Sequence, residues 1–300
     1  MTICPRARAG RDRPILAPRR WLGLALLMVL ACGGVGRQLD EANAARHAGR
    51  PRDALRGYQA VLAELGEGHL APREDSLRLR ALRYAADVSY LELADFTQAI
   101  SYYRRIVALY PGTEAAWSAR AITGDIYKDR LNDRMAAIAQ WADIAAGDGP
   151  QAATYQLKVA REYLDLKNCE QARTEARILR ERWPTSELAD EAQLLTGQAW
   201  VLDKRDEEGQ RAFGALLARR PRPDLAARAL EAQADLAAQE GKLDRALELY
   251  RQALPTHPNP DTIRMAIERV RERRDRSRPS VTPGDRATAF DRHPKETETP

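Results

Sequence analysis

From residue 38 to residue 258, apolar residues recur three and four positions apart in short runs, and polar turns break the runs at regular intervals. The clearest copy lies between Pro184 and Pro221. Ala189, Ala192, Gly197 and Trp200 make one stripe, and Phe213, Leu216 and Leu217 make the next. The polar turn Asp203-Lys204-Arg205-Asp206 separates them. Each run predicts a helix too short to stand alone in water, so the pair needs a neighbouring pair to cover its open face.

The same pattern predicts five further pairs. They cover residues 38–48 with 52–65, 72–93 with 97–110, 114–128 with 134–146, 151–166 with 170–182, and 225–239 with 243–254. In the second of these, Tyr84, Val88 and Leu91 share one helical face. A small residue opens each second helix at Ala54, Ala99, Ala137, Ala172, Gly209 and Ala246, at spacings of 45, 38, 35, 37 and 37. Four residues later stands Tyr58, Tyr103, Trp141, Phe213 or Tyr250, with Ala176 the exception. A small side chain lets two helix backbones approach, and the ring one turn on fills the space beside it. Past Pro258, Asn259-Pro260-Asp261 is a helix start. The helix over 259–276 then carries Ile263, Ala266, Ile267 and Val270 on one face and Arg264, Arg271, Arg273 and Arg274 on the other. It is read as a cap for the array, solvated by pairs such as Arg264–Glu268 and Glu272–Arg276, with docking of an anionic partner as the alternative.

Small–x3–aromatic in the second helix, Gly124-x-x-Tyr127 and Gly197-x-x-Trp200 in the first, and closing Pro111, Pro184, Pro221 and Pro258 resemble the tetratricopeptide repeat. The resemblance covers about residues 38–258. It implies an all-α, right-handed tetratricopeptide-type helical-hairpin solenoid of about six repeats plus a C-terminal capping helix.

Charge changes meaning once the first residues are read. Arg6, Arg8, Arg11, Arg13, Arg19 and Arg20 precede the apolar run Trp21–Leu30, which is short for a membrane span and suited to a signal segment. Val29-Leu30-Ala31-Cys32 resembles a lipoprotein lipobox, which implies a signal peptide over 1–31, lipidation of Cys32 and a flexible anchored spacer over 32–37. Acyl chains would then hold the chain on a membrane without a spanning helix. Removing residues 1–31 takes away six Arg and one Asp, bringing 48 basic and 43 acidic side chains to 42 of each. A balanced chain lacks the basic footprint of a nucleic-acid binder. Residues 277–300, rich in Pro, Thr and charge, are read as disordered.

Chemistry-bearing motifs are missing from the sequence. His47, His69, His257 and His293 are scattered, and neither H-E-x-x-H, CxxC, G-x-S-x-G nor a phosphate loop occurs. Cys169 stands in a turn as a structural thiol. The expectation is a non-enzymatic chain with no cofactor, no metal and no small-molecule substrate.

In the resembled family the first helices line a concave groove that holds peptide segments. Carried over residue by residue, that groove comprises Tyr84, Val88, Leu91 and Glu92, then Asp125 and Lys128, then Leu157, Arg161, Leu164 and Asp165, then Leu194, Gln198 and Val201. It reads as an apolar floor with charged edges, suited to an apolar peptide or helix. Pro111, Thr113, Ala116, Ala119 and Pro184, Ser186, Ala189, Ala192 between repeats, behind a lipobox, resemble outer-membrane lipoproteins of the BamD type and periplasmic proteins of the CpoB type. That resemblance implies a scaffold anchored in the outer membrane and facing the periplasm, with other envelope proteins or peptide segments as partners and outer-membrane protein assembly as its setting. A soluble cytoplasmic adaptor or regulator, and an accessory subunit of a cell-wall enzyme, are the alternatives.

Overall fold

The computed structural model describes residues 20–277, with side chains from residue 34 onward. The expected signal peptide, Cys32 and the tail from 278 therefore lie outside the described side chains. Thirteen α-helices make up the described residues: α1 (Arg20–His47), α2 (Pro51–Leu65), α3 (Pro72–Asp87), α4 (Phe96–Leu109), α5 (Glu114–Asp129), α6 (Arg134–Ala146), α7 (Ala152–Asp165), α8 (Cys169–Arg182), α9 (Glu187–Leu202), α10 (Asp206–Ala218), α11 (Pro223–Gln239), α12 (Leu243–Ala253) and α13 (Pro260–Ser277). The fold class is all-α, built of successive helix hairpins. The chain forms two compact units, divided after Asn132, and each is described by itself. The expected third pair, α5 and α6, straddles that division.

In the first unit, α1 packs on α2, α2 on α3, α3 on α4 and α4 on α5. Tyr58 and Tyr103 are buried at the hairpin crossings, behind the fully buried Ala54 and Ala99. Their hydroxyls reach back to the first helix of the same hairpin, Tyr58 to Asn43 Oδ1 and Tyr103 to Asp87 Oδ1, each at 2.8 Å. A buried ring thus keeps its polar end satisfied. Arg78, only 5% exposed, donates to the Gly68 carbonyl at 2.8 Å and to the Tyr110 hydroxyl at 3.1 Å. It pins the loop that joins the first two hairpins.

Two expectations in this unit are corrected. Residues 32–37 belong to α1 and not to a spacer. Val35 and Leu39, one turn apart, are buried with Ala42 in the core that α2 covers, which makes the helical state of this stretch the favoured one. The long helix over 72–93 is α only as far as Asp87 and then opens into a π turn over Val88–Glu92. There the Leu93 N–H reaches five residues back to the Val88 carbonyl, at 3.0 Å. The wider turn adds rotation, so Tyr84, Val88 and Leu91 no longer share one face.

In the second unit, α7 packs on α8, α8 on α9, α9 on α10, α10 on α11, α11 on α12 and α12 on α13. Trp141, Phe213 and Tyr250 are buried, as are Ala137, Ala172, Gly209 and Ala246. Cys169 opens α8 as a buried thiol. The capping helix buries Ile263, Ala266, Ile267 and Val270 as expected. Its ion pairs differ from those expected. Arg264 pairs with Asp261 and Arg271 with Glu268, three residues apart. Arg273 donates to the Ala238 carbonyl at 2.8 Å, satisfying an acceptor in the last turn of α11.

A single turn geometry recurs in both units. Gly49, Ala94, Asn132, Lys167, Lys204 and Gly241 all have positive φ, between 52° and 80°. Their spacings of 45, 38, 35, 37 and 37 repeat those of the small residues. The residue after each is the N-cap of a second helix. Asp95, Asp133 and Asn168 fill that position with a side chain that accepts a backbone N–H, at 2.9, 2.9 and 3.2 Å.

Candidate functional site

In the second unit the first helices α7, α9 and α11 lie side by side, while α8, α10 and α12 cover their outer faces. Between the three first helices is a cavity of about 600 Å³. Leu164 and Asp165 reach it from α7, Gln198 and Val201 from α9, and Arg228, Glu231, Ala232 and Asp235 from α11. A smaller cavity of about 190 Å³ continues along α7 and α9 past Arg161, Glu191 and Leu194. Four expected groove residues, Leu164, Asp165, Gln198 and Val201, thus line one concave surface. Leu164, Gln198 and Val201 are half-buried and Asp165 is exposed. Arg161 also lies on this face and pairs with Glu191 of α9.

Three expected groove residues are core instead. Val88 is fully buried, Leu157 is 3% exposed and Leu194 is 2% exposed. Leu157 sits in a cluster with Ala172 and Leu179 of α8, and Leu194 in one with Phe213 and Leu216 of α10. Leu157 therefore packs toward its hairpin partner, and Leu194 packs against α10 and α11 with only an edge on the smaller cavity. A helix in such an array has apolar residues on two faces, one toward its partner and one toward the groove, and spacing alone does not separate them.

In the first unit Tyr84 is half-buried, with its ring 5.7 Å from that of Tyr58. Glu92 Oε1 accepts from Arg46 Nε at 2.6 Å, tying the π turn to α1. Leu91, on that turn, is 67% exposed. Asp125 and Lys128 are half-buried on α5, and both are partnered.

The α11 contribution escaped the sequence reading, although the period contains it. The step of 37 from Gly209 to Ala246, applied to Leu194 and Gln198, lands on Glu231 and Asp235. Both carboxylates are held from behind. His257 Nε2 lies 2.9 Å from Glu231 Oε2, and the Tyr250 hydroxyl donates to Asp235 Oδ1. Burial, reinforced by the Asp235 carboxylate, pushes the Tyr250 phenol well above the usual tyrosine range. Among the described residues no group of three or more His, Cys, Asp or Glu is disposed to hold a metal ion. No described helix is long and apolar enough to cross a membrane.

The fold and this inner face define a helical-hairpin repeat protein. Residues 157–209 and 207–260 match one tetratricopeptide repeat family model, and residues 80–113 match another. The chain carries tetratricopeptide repeats in both of its units. No curated protein matches it. Solved structures similar to it include a tetratricopeptide repeat protein from Parabacteroides merdae, at 14% identity and a TM-score of 0.39, covering 79% of this chain and 84% of that one. A thermophilic repeat protein of Thermus thermophilus is 19% identical, with a TM-score of 0.29 and coverage of 79% and 98%. The repeat domain of yeast Sti1, solved in complex with an HSP90 peptide, is 16% identical, with a TM-score of 0.31 and coverage of 81% and 95%. The repeat assignment rests on the sequence matches and on the helix geometry. Tetratricopeptide repeats are protein-interaction modules, and this chain is a protein–protein interaction scaffold.

Proposed function

We propose that this chain is a non-enzymatic, lipid-anchored scaffold of the bacterial cell envelope that holds segments of other envelope proteins in the groove of its first helices. The concave cavity between α7, α9 and α11 carries the binding part of this reading. It is roomy, half apolar and rimmed by charge, as a groove for a peptide or helix must be. The anchoring part is supported by Val29-Leu30-Ala31-Cys32 behind an apolar run and a basic stretch. Lipidation of Cys32 would tether the repeats to the outer membrane, facing the periplasm, beside partners of the assembly machinery for outer-membrane proteins.

Labelling of growing cells with a clickable fatty acid tests the anchor. Label is expected on the wild-type chain and absent from Cys32→Ser, and label that persists in that variant overturns it. Crosslinking in the native membrane tests the groove. Leu164→Asp is expected to lose partners that the wild type captures, whereas Leu91→Asp probes the exposed face of the first unit. Retention of every partner by Leu164→Asp sinks the groove reading.

A further inference from the structure

The rim of the α7–α9–α11 cavity is formally neutral, with Lys167, Lys204 and Arg228 set against Asp165, Glu231 and Asp235. Its hydrogen-bonding capacity is not balanced. The carboxylates are engaged from within the chain: Glu231 by His257 at 2.9 Å, Asp235 by the Tyr250 hydroxyl, and Asp165 by Arg134 Nη2 at 3.7 Å. The three cations make no side-chain hydrogen bond or ion pair with any described residue. Each carboxylate of the rim thus already has one partner within the chain, whereas the donors of the three cations are all unspent.

A second observation concerns the backbone under the lysines. Lys167 has a φ of 63° and Lys204 a φ of 62°, whereas the matching turns at Gly49 and Gly241 use glycine. A side chain is strained in that region and glycine is not. Two successive hairpins keep a lysine where glycine would be easier, and both lysines border the same cavity. Beside them the half-buried Leu164 and Val201 form an apolar floor, and Leu202 is 38% exposed.

Resting on the groove reading above, we propose that the cavity takes an amphipathic acidic peptide segment, whose carboxylates meet Lys167, Lys204 and Arg228 while its apolar side chains lie on Leu164 and Val201. The assignment narrows the expected apolar ligand to one that carries negative charge along one edge. Charge-assisted hydrogen bonds to lysine and arginine favour carboxylates over neutral side chains.

The test uses the 300-residue chain and three fluorescent synthetic peptides with identical leucine positions. Their remaining positions are all Glu, all Gln or all Lys. Fluorescence anisotropy is expected to show the Glu peptide binding roughly tenfold more tightly than the Gln peptide, with the Lys peptide weakest and the contrast shrinking as salt rises. The double variant Lys167→Gly/Lys204→Gly removes both charges while relaxing both turns, so its thermal midpoint should rise. Its affinity for the Glu peptide should fall roughly tenfold and its affinity for the Gln peptide should hold. A Glu peptide that binds no better than the Gln peptide, or equally well to the double variant, overturns the acidic-ligand proposal. The groove reading survives that result if Leu164→Asp, shown folded by circular dichroism, still loses all binding. Binding that ignores Leu164→Asp, or its absence for all three peptides, overturns both. A chain that self-associates, and is made monomeric by the double variant, has a second copy in the groove, which also overturns the proposal.

Discussion

Gly197 on α9 lies against the ring of Phe213 on α10 so closely that a β-carbon at 197 would stand 2.3 Å from Cε1, 2.6 Å from Cδ1 and 2.8 Å from Cζ. Phe213 is fully buried in a cluster with Leu194, Leu216 and Leu225, so an added methyl group would have to displace a packed ring. Glycine is here a packing residue, in the middle of a helix where its intrinsic preference is poor.

Gly197→Ala is therefore expected to destabilise the second unit despite the better helix propensity of alanine. Overpacking of a closed core costs about 1–3 kcal/mol. For a chain of this size that lowers the thermal midpoint by roughly 2–4 °C per kcal/mol. Gly197→Ala/Phe213→Leu should recover part of the loss, because the smaller side chain makes room. A midpoint equal to or above wild type for Gly197→Ala alone would contradict the close packing.

The positive-φ turns predict opposite signs for opposite substitutions. Ala94→Gly, at a φ of 53°, should stabilise the first unit, and Gly241→Ala, at a φ of 80°, should destabilise the second. Each change is worth about 1 kcal/mol, the cost of a β-carbon in the left-handed region. Denaturant melts of the two variants check the pair.

The buried tyrosines predict a loss of stability at high pH. Burial raises the phenol of Tyr103, and the Asp87 carboxylate raises it further. Burial and Asp235 do the same for Tyr250. The unfolded chain releases these protons near pH 10 and the folded chain holds them longer. Their contribution is thus fully present below about pH 10 and is lost as pH rises beyond it. Tyr103→Phe and Tyr250→Phe should each cost about 0.5–1.5 kcal/mol at neutral pH and flatten the fall in thermal midpoint between about pH 9 and 11. An unchanged slope in both variants would count against the protonated hydroxyls.

Core and groove residues on the first helices separate by experiment. Leu157→Ala and Leu194→Ala, both core positions, should each cost about 2–5 kcal/mol. Leu91→Ala, at an exposed position, should change stability by less than about 0.5 kcal/mol. Chemical denaturation ranks the three, and a large loss at Leu91 would contradict the turned-out position that the π turn confers.

The hairpins were legible because helix formation and the helix crossings rest on local regularities. Apolar spacing sets the buried stripe, and Ala or Gly four residues before a ring sets the crossing, as Gly209 with Phe213 and Ala246 with Tyr250 bear out. The groove was legible only in part. Leu164 and Val201 line the larger cavity, whereas Leu157 and Leu194, equally apolar and on the same helices, are spent almost wholly on core packing. Glu231 and Asp235 were one period away and could have been read by carrying the register into α11.

By itself, then, the sequence determined the helices, the hairpins and the residues at their crossings, because each follows from contacts within a few turns of one chain segment. Only the tertiary structure decided which apolar residues face the groove, that Leu91 turns outward at a π turn, and that each rim carboxylate has a partner while Lys167, Lys204 and Arg228 have none among the described residues. Those facts depend on the angle at which one helix meets the next and on which distant side chains, such as His257 and Tyr250, arrive beside it.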